Sequence, residues 1–257
     1  MESKLDTVKS VEKAIDIVFA FTEGKPQLTL PEICKKLDLP KSTAYRLIST
    51  LEKKGFIEQN ELNGKYQLGL KLIKISNFAL KNYDLKDVAL PIMTDLRDKT
   101  GETINLYIKK NLYRVCIEQV EGFNVLRRIS SIGDLLPLFC GASGKLLTAF
   151  QKDEEITKII TESNITPFTE NTIVDTDILK DELKNIRRQG FSFSRGEREL
   201  GVASVSAPIR NHNGDVIAAI SISGLDSRYT GENIRKYIKL VIEGATLISK
   251  NLGYSAT

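Results

Sequence analysis

A chain of 257 residues, 41% hydrophobic and 27% charged, can bury one large core or two ordinary ones, and two is the better expectation. The formal net charge of +4 belongs to the first third, since residues 1–82 hold 14 basic and 10 acidic side chains and leave 23 of each for the remainder; a small basic unit suits a phosphate-facing surface, although a lysine-rich solvated surface gives the same count. The opening Met-Glu-Ser-Lys-Leu-Asp lacks the apolar core of a secretion signal, no apolar run approaches the ~18 residues of a membrane span, and Cys34, Cys116 and Cys140, three in number, widely spaced and in no paired motif, disfavour a disulfide framework or a zinc site, so the sequence reads as cytoplasmic, without membrane, metal or cofactor.

Residues 7–22 carry Val8, Val11, Ala14, Ile15, Val18, Phe19 and Phe21 at near-helical spacing, which predicts an amphipathic first helix that also meets a partner subunit. Between Thr29 and Ile57 the sequence predicts two short helices joined by a tight turn. Thr29 and Glu32 have the spacing of a capping box, Pro31 suits a first turn, and Leu30, Ile33, Cys34 and Leu37 form an apolar stripe. The next helix starts near Pro40 and buries Ala44, Leu47, Ile48 and Leu51, leaving Lys41, Ser42, Tyr45, Arg46 and Ser49 outward. Lys41, Ser42 and Thr43 at its start offer phosphate donors, and Tyr45 and Arg46 one turn later can reach base edges in a major groove about 12 Å wide. Gly55 stops the helix. Residues 56–59 and 66–68 then read as a hairpin closed by a type I′ turn at Asn63-Gly64, with Lys65 at its tip as a further DNA contact. Helix, helix, helix and hairpin in that order make a winged helix-turn-helix over residues 1–69. Apolar side chains cover much of residues 70–83, which reads either as a linker helix between domains or as the completion of the first core.

From residue 84 to 257 the pattern is mixed. Residues 84–100, 143–150, 154–162, 177–189 and 231–252 read as helices, and 103–109, 114–120, 125–130, 191–194, 202–210 and 216–223 as strands, together an α+β sensor-like domain. Strands 202–210 and 216–223 flank Asn211-His-Asn-Gly214 and so form a hairpin. With an even number of residues in its loop, Val205, Ala207, Ile209, Val216, Ala218, Ile220 and Ile222 share one face, and Ser204, Ser206, Ser221 and Ser223 the other. Buried hydroxyls need partners, and a ligand rich in oxygen supplies them; the alternative is that these serines bond to backbone or water. Gly141, Ala142 and Ser143, opening a helix, add backbone N–H groups suited to an anion.

The segments Lys41-Ser-Thr-Ala-Tyr-Arg-Leu47, Tyr66-Gln-Leu-Gly69, Leu136-Pro-Leu-Phe-Cys-Gly-Ala-Ser-Gly-Lys145, Arg195-Gly-Glu197, Gly201-Val-Ala-Ser-Val-Ser-Ala-Pro208 and Ala218-Ala-Ile-Ser-Ile-Ser-Gly224 stand in the order and spacing of one family. In these the chain resembles the IclR family of bacterial transcription regulators. The resemblance implies a winged helix-turn-helix followed by a GAF-like α/β domain for effector binding and oligomerisation, assembly as a homodimer or homotetramer on a DNA operator, and a metabolite pocket at Gly141, Ala142, Ser221 and Ser223. Two positions depart from the family pattern and bear on which effector fits: Ser194 stands where an acidic residue is frequent, and Ser204 where a cysteine is.

Enzymatic readings fare poorly. Gly141-Ala-Ser-Gly-Lys145 has Phe139 in place of the first glycine of a phosphate-binding loop and Leu146 in place of its Ser/Thr. His212, the single histidine, belongs to a turn cluster. Cys140, beside a helix start that can lower its pKa, is the best nucleophile but has no evident base. The expected function is a DNA-binding regulator whose operator affinity a small metabolite, an organic acid, modulates. A metabolite-binding or scaffold protein that does not act on DNA is the alternative.

Overall fold

The computed structural model describes residues 7–21, 25–75, 85–123 and 132–255. The chain divides into two compact units, residues 1–82 and 83–257.

In the first unit, α1 (Lys9–Phe19), α2 (Leu30–Leu37) and α3 (Lys41–Lys53) precede a two-stranded sheet of β1 (Ile57–Gln59) and β2 (Tyr66–Leu68). Both halves of the capping box form on α2: the Thr29 hydroxyl accepts from the Glu32 N–H, and the Glu32 carboxylate accepts from the Thr29 N–H at 2.8 Å. Asp38 in the left-handed region, φ 50°, turns the chain between α2 and α3, a conformation that Asp tolerates better than most side chains. Ile17, Leu28, Ile33, Leu39, Ala44, Ile48, Ile57 and Tyr66 form one small core.

The wing differs from expectation in its turn. Gln59 pairs with Tyr66, so six residues link the strands instead of the two of a type I′ turn. Asn60 builds this loop: its N–H donates to Lys65 O, and its side-chain oxygen accepts from Leu62 N and Asn63 N. Gly64 has positive φ but Asn63 does not, and a type I′ turn needs both. Residues 71–75 are helical; the rest of the expected linker helix lies outside the described residues, as does the strand expected at 125–130.

In the second unit, α4 (Leu85–Thr100), β3 (Thr103–Lys110), β4 (Tyr113–Val120) and β5 (Leu135–Pro137) lead into α5 (Ala142–Ala149), α6 (Asp153–Glu162) and α7 (Thr176–Gln189). Then follow β6 (Ser192–Arg195), β7 (Val202–Arg210), β8 (Val216–Leu225) and α8 (Gly231–Asn251). Six strands make one antiparallel sheet in the order β5-β4-β3-β8-β7-β6. Helices cover both faces. On one, Met93 and Leu96 of α4 and Val241, Ala245 and Ile248 of α8 pack against Val205, Ala207, Ile209, Ala218, Ile220 and Ile222. On the other, α5, α6 and α7 pack over Tyr107, Cys116 and Ala219.

The serine and apolar faces of the β7–β8 hairpin divide as alternation requires, with Val205 opposite Ile222 and Ser204 opposite Ser223. Val216 is the exception. The register slips between Ile209, which pairs with Ala218, and Arg210, which pairs with Val216, so Ile217 is bulged and Val216 packs with the opposite cluster.

Candidate nucleic-acid interface and ligand pocket

Helix α3 presents a polar face. Lys41, Ser42, Tyr45 and Arg46 are exposed at helical spacing, while Thr43 and Ser49, expected beside them, are half-buried. Tyr45 leaves 57% of its surface to solvent, much for an aromatic ring. Among the described residues no carboxylate lies within ion-pair distance of Lys41, Arg46 or Lys65, so their charges are available to an external anion. Lys65, half-buried, adjoins β2 in the wing.

The second candidate site is a cavity of about 40 Å³ between the sheet and the N-terminus of α5. Gly141, Ala142, Ser143, Ser194, Ser204 and Ser223 all line it. Ser221 does not. It lies two residues from Ser223 on the same strand, about 7 Å away, in a neighbouring row of the sheet, and its Oγ is buried without a hydrogen bond among the described residues.

Cross-strand register explains the polar floor. Thr103, Ser223, Ser204 and Ser194 form one row across four strands, and Asn105, Ser221, Ser206 and Ser192 the next. Because the rows run across the sheet, β3 and β6 extend what the sequence could place only on β7 and β8. Asn105 Nδ2 donates to Ser223 Oγ at 3.4 Å, and Ser206 Oγ to Ile220 O at 2.8 Å.

The backbone donors expected to be open are partly engaged by the chain itself. Gly141 N–H donates to Glu197 Oε2 at 2.9 Å, and Ala142 N–H to Ser194 Oγ at 3.1 Å. Glu197 thus supplies the carboxylate that a helix N-terminus favours. Its other oxygen accepts from Lys145 Nζ at 2.6 Å, and the same ammonium, 1% exposed, reaches Glu182 of α7 at 2.9 Å. From the far side, the Thr172 hydroxyl donates to Glu197 O at 2.5 Å and fixes the loop that carries this carboxylate.

Sequence reasoning missed the charged lining: Arg114, Glu197, Arg198 and Glu199, with Tyr107 and Val202. A signal for Arg114 existed, a lone cation in the otherwise apolar run Tyr113-Arg-Val-Cys-Ile117. Arg114 is 5% exposed. Its Nη1 donates to Pro137 O at 2.7 Å and Cys140 O at 2.5 Å, and burial pulls its pKa down. The helix start beside Cys140 does not lower its pKa: burial outweighs the neighbouring cations and pushes it up to about 11. His212 is exposed at its loop tip.

Two family descriptions match the chain: "IclR helix-turn-helix domain" over residues 10–61 and "Bacterial transcriptional regulator IclR C-terminal" over residues 77–250. The Escherichia coli (strain K12) HTH-type transcriptional regulator XynR is 34% identical over 97% of this chain and 99% of its own. Among solved structures, the Thermotoga maritima IclR is 33% identical over 96% of this chain and 99% of its own, with a TM-score of 0.65. The Agobacterium tumefaciens repressor BlcR, 24% identical, shares the fold with a TM-score of 0.84 over 98% of this chain and 100% of its own.

Proposed function

The chain belongs to the IclR family of bacterial transcriptional regulators, and from that premise we propose how its two units divide the work. It is a DNA-binding transcriptional regulator and not an enzyme. Family membership sets aside the alternative of a scaffold or metabolite-binding protein acting apart from DNA. Residues 1–69 are the DNA-binding domain, 70–83 the linker, and 84–257 the effector-binding and oligomerisation domain. No helix among the described residues is long and apolar enough to cross a membrane. The place of action is the cytoplasm, where the operator is.

Helix α3 enters the major groove. The observation that carries this assignment is its exposed face of Lys41, Ser42, Tyr45 and Arg46, with both cations unpaired among the described residues. Arg46 reads a base edge; Lys41, Ser42 and Thr43 hold phosphate, as does Lys65 from the wing, and Ser49 borders the contact. Replacing Arg46 by Ala should cost ~1–3 kcal/mol at the operator and relax specificity, whereas Lys41→Ala should weaken all sequences alike and reduce the salt slope by about 1. Electrophoretic titration at several salt concentrations measures both, and unchanged operator affinity in the two variants removes α3 from the interface.

A small organic acid binds the cavity beneath α5 and shifts operator affinity. Support comes from the clustering of Gly141, Ala142, Ser143, Ser194, Ser204 and Ser223 around one space, with Ser221 in the adjoining row. The assembly is a homodimer or homotetramer. What supports it is the apolar face of α1, where Val11, Ile15 and Phe19, with Val8 just before the helix, are exposed, Phe19 by 76%. Val11, Ile15 and Phe19 line a groove with Leu47, Leu51 and Leu72, a surface of the kind that marks a contact with a second chain.

A further inference from the structure

We infer that Arg114 makes this pocket select a small carboxylate over a neutral molecule of the same shape. The inference rests on the pocket reading above and names the charge of its ligand. Arg114 comes from β4 and reaches beneath the N-terminus of α5, where a Cβ added to Gly141 would lie 3.1 Å from its Nη2. A guanidinium this buried costs several kcal/mol unless a negative charge answers it. Among the described residues no carboxylate lies within ion-pair distance. Glu197 lines the same cavity, but its oxygens are committed to Lys145 and to Gly141 N–H. What Arg114 does receive is two carbonyl oxygens, both at Nη1, and the face of Tyr107 at 5.4 Å. Its Nε is buried with no hydrogen-bond partner among the described residues.

The carbonyl contacts satisfy one nitrogen, and the charge feels the field of Glu197 without an ion-pair contact among the described residues. An anion in the cavity would answer that charge, and the hydroxyls of Ser143, Ser204 and Ser223, which line the same space, would complete the shell of a carboxylate bearing a hydroxyl or carbonyl oxygen. About 40 Å³ accommodates a few water-sized groups, so an acid of two or three carbons fits and a ring or long chain does not. With Glu197 already on the helix N-terminus, the ligand's charge falls to the cations that line the cavity, Arg114 and Arg198, of which Arg114 is the more deeply buried.

The test compares glycolate with glycolamide, and lactate with lactamide, by titration calorimetry on the full chain. The wild type should bind the acid at least tenfold more tightly than the amide, a charge-assisted bond being worth about that or more. Arg114→Met should bring the ratio close to one, and Arg114→Lys should retain part of it. Circular dichroism and operator binding establish that the variants fold, and a ratio taken within one variant is insensitive to a uniform loss of affinity. If Arg114→Met keeps the preference while Ser204→Ala weakens both probes, the pocket reading stands and the Arg114 inference falls. It falls likewise if the amides bind as well as the acids, or if inorganic phosphate binds and no carboxylate does. Binding untouched by either Arg114→Met or Ser204→Ala overturns the pocket reading itself, and no binding of either acid to the wild type overturns the inference.

Discussion

At the scale of single residues, burial and not proximity to charge decides chemistry in the second unit. Cys140 touches a helix start and has Arg114 and Lys145 nearby, yet its thiol is 1% exposed and its pKa rises from 9.0 to about 11. Between those values the unfolded chain has released the thiol proton and the folded chain keeps it, so folding stability must fall as pH rises from about 9 to about 11. The loss is at most about 1.4 kcal/mol per pH unit. Denaturant unfolding of the wild type and Cys140→Ala should therefore give a stability difference that shifts against the wild type across this window; a difference constant from pH 7 upward refutes it. The serines of the pocket were legible because alternation along a strand is a local property. Arg114 and Glu197 were not, because their meaning depends on which strand and loop lie over them, and a single sequence does not specify those neighbours.

At the scale of elements, helices were legible from apolar spacing and caps, and Thr29 with Glu32 forms the box that the spacing predicts. Turns carried less information. Asn63-Gly64 has the composition of a two-residue turn, but the Asn60 side chain organises a longer loop, and the bulge at Ile217 turns Val216 to the other face. The wing is held at its base by glycine contact: a Cβ on Gly69 would lie 2.9 Å from the Gly55 carbonyl carbon, and Gly69 N–H donates to Phe56 O at 2.9 Å. Gly69→Ala must push two backbones apart and should cost about 1–3 kcal/mol, in line with other overpacked contacts. Faster hydrogen exchange confined to residues 55–69 would report it. Exchange as slow as in the wild type means that the wing can absorb the methyl group.

At the scale of the whole molecule, two compact units on one chain suit a regulator whose output and input are separate modules. A single helix-turn-helix has limited reach. Two copies related by a two-fold axis would read half-sites about 34 Å apart, or a multiple of that. Light scattering at micromolar concentration should accordingly give a dimer or tetramer mass, and Phe19→Glu, which places a charge on the exposed face of α1, should lower it. A monomeric wild type refutes the assembly. The carboxylate of Glu197 on Gly141 N–H has one more consequence for the proposed pocket. An acid held by Arg114 and extending to those N–H groups would compete with a group tethered beside them, and tethered groups act at effective concentrations of about millimolar or above. A pocket so built would pass over trace amounts, and the hold of Glu197 on its perch would set the concentration at which a metabolite is answered.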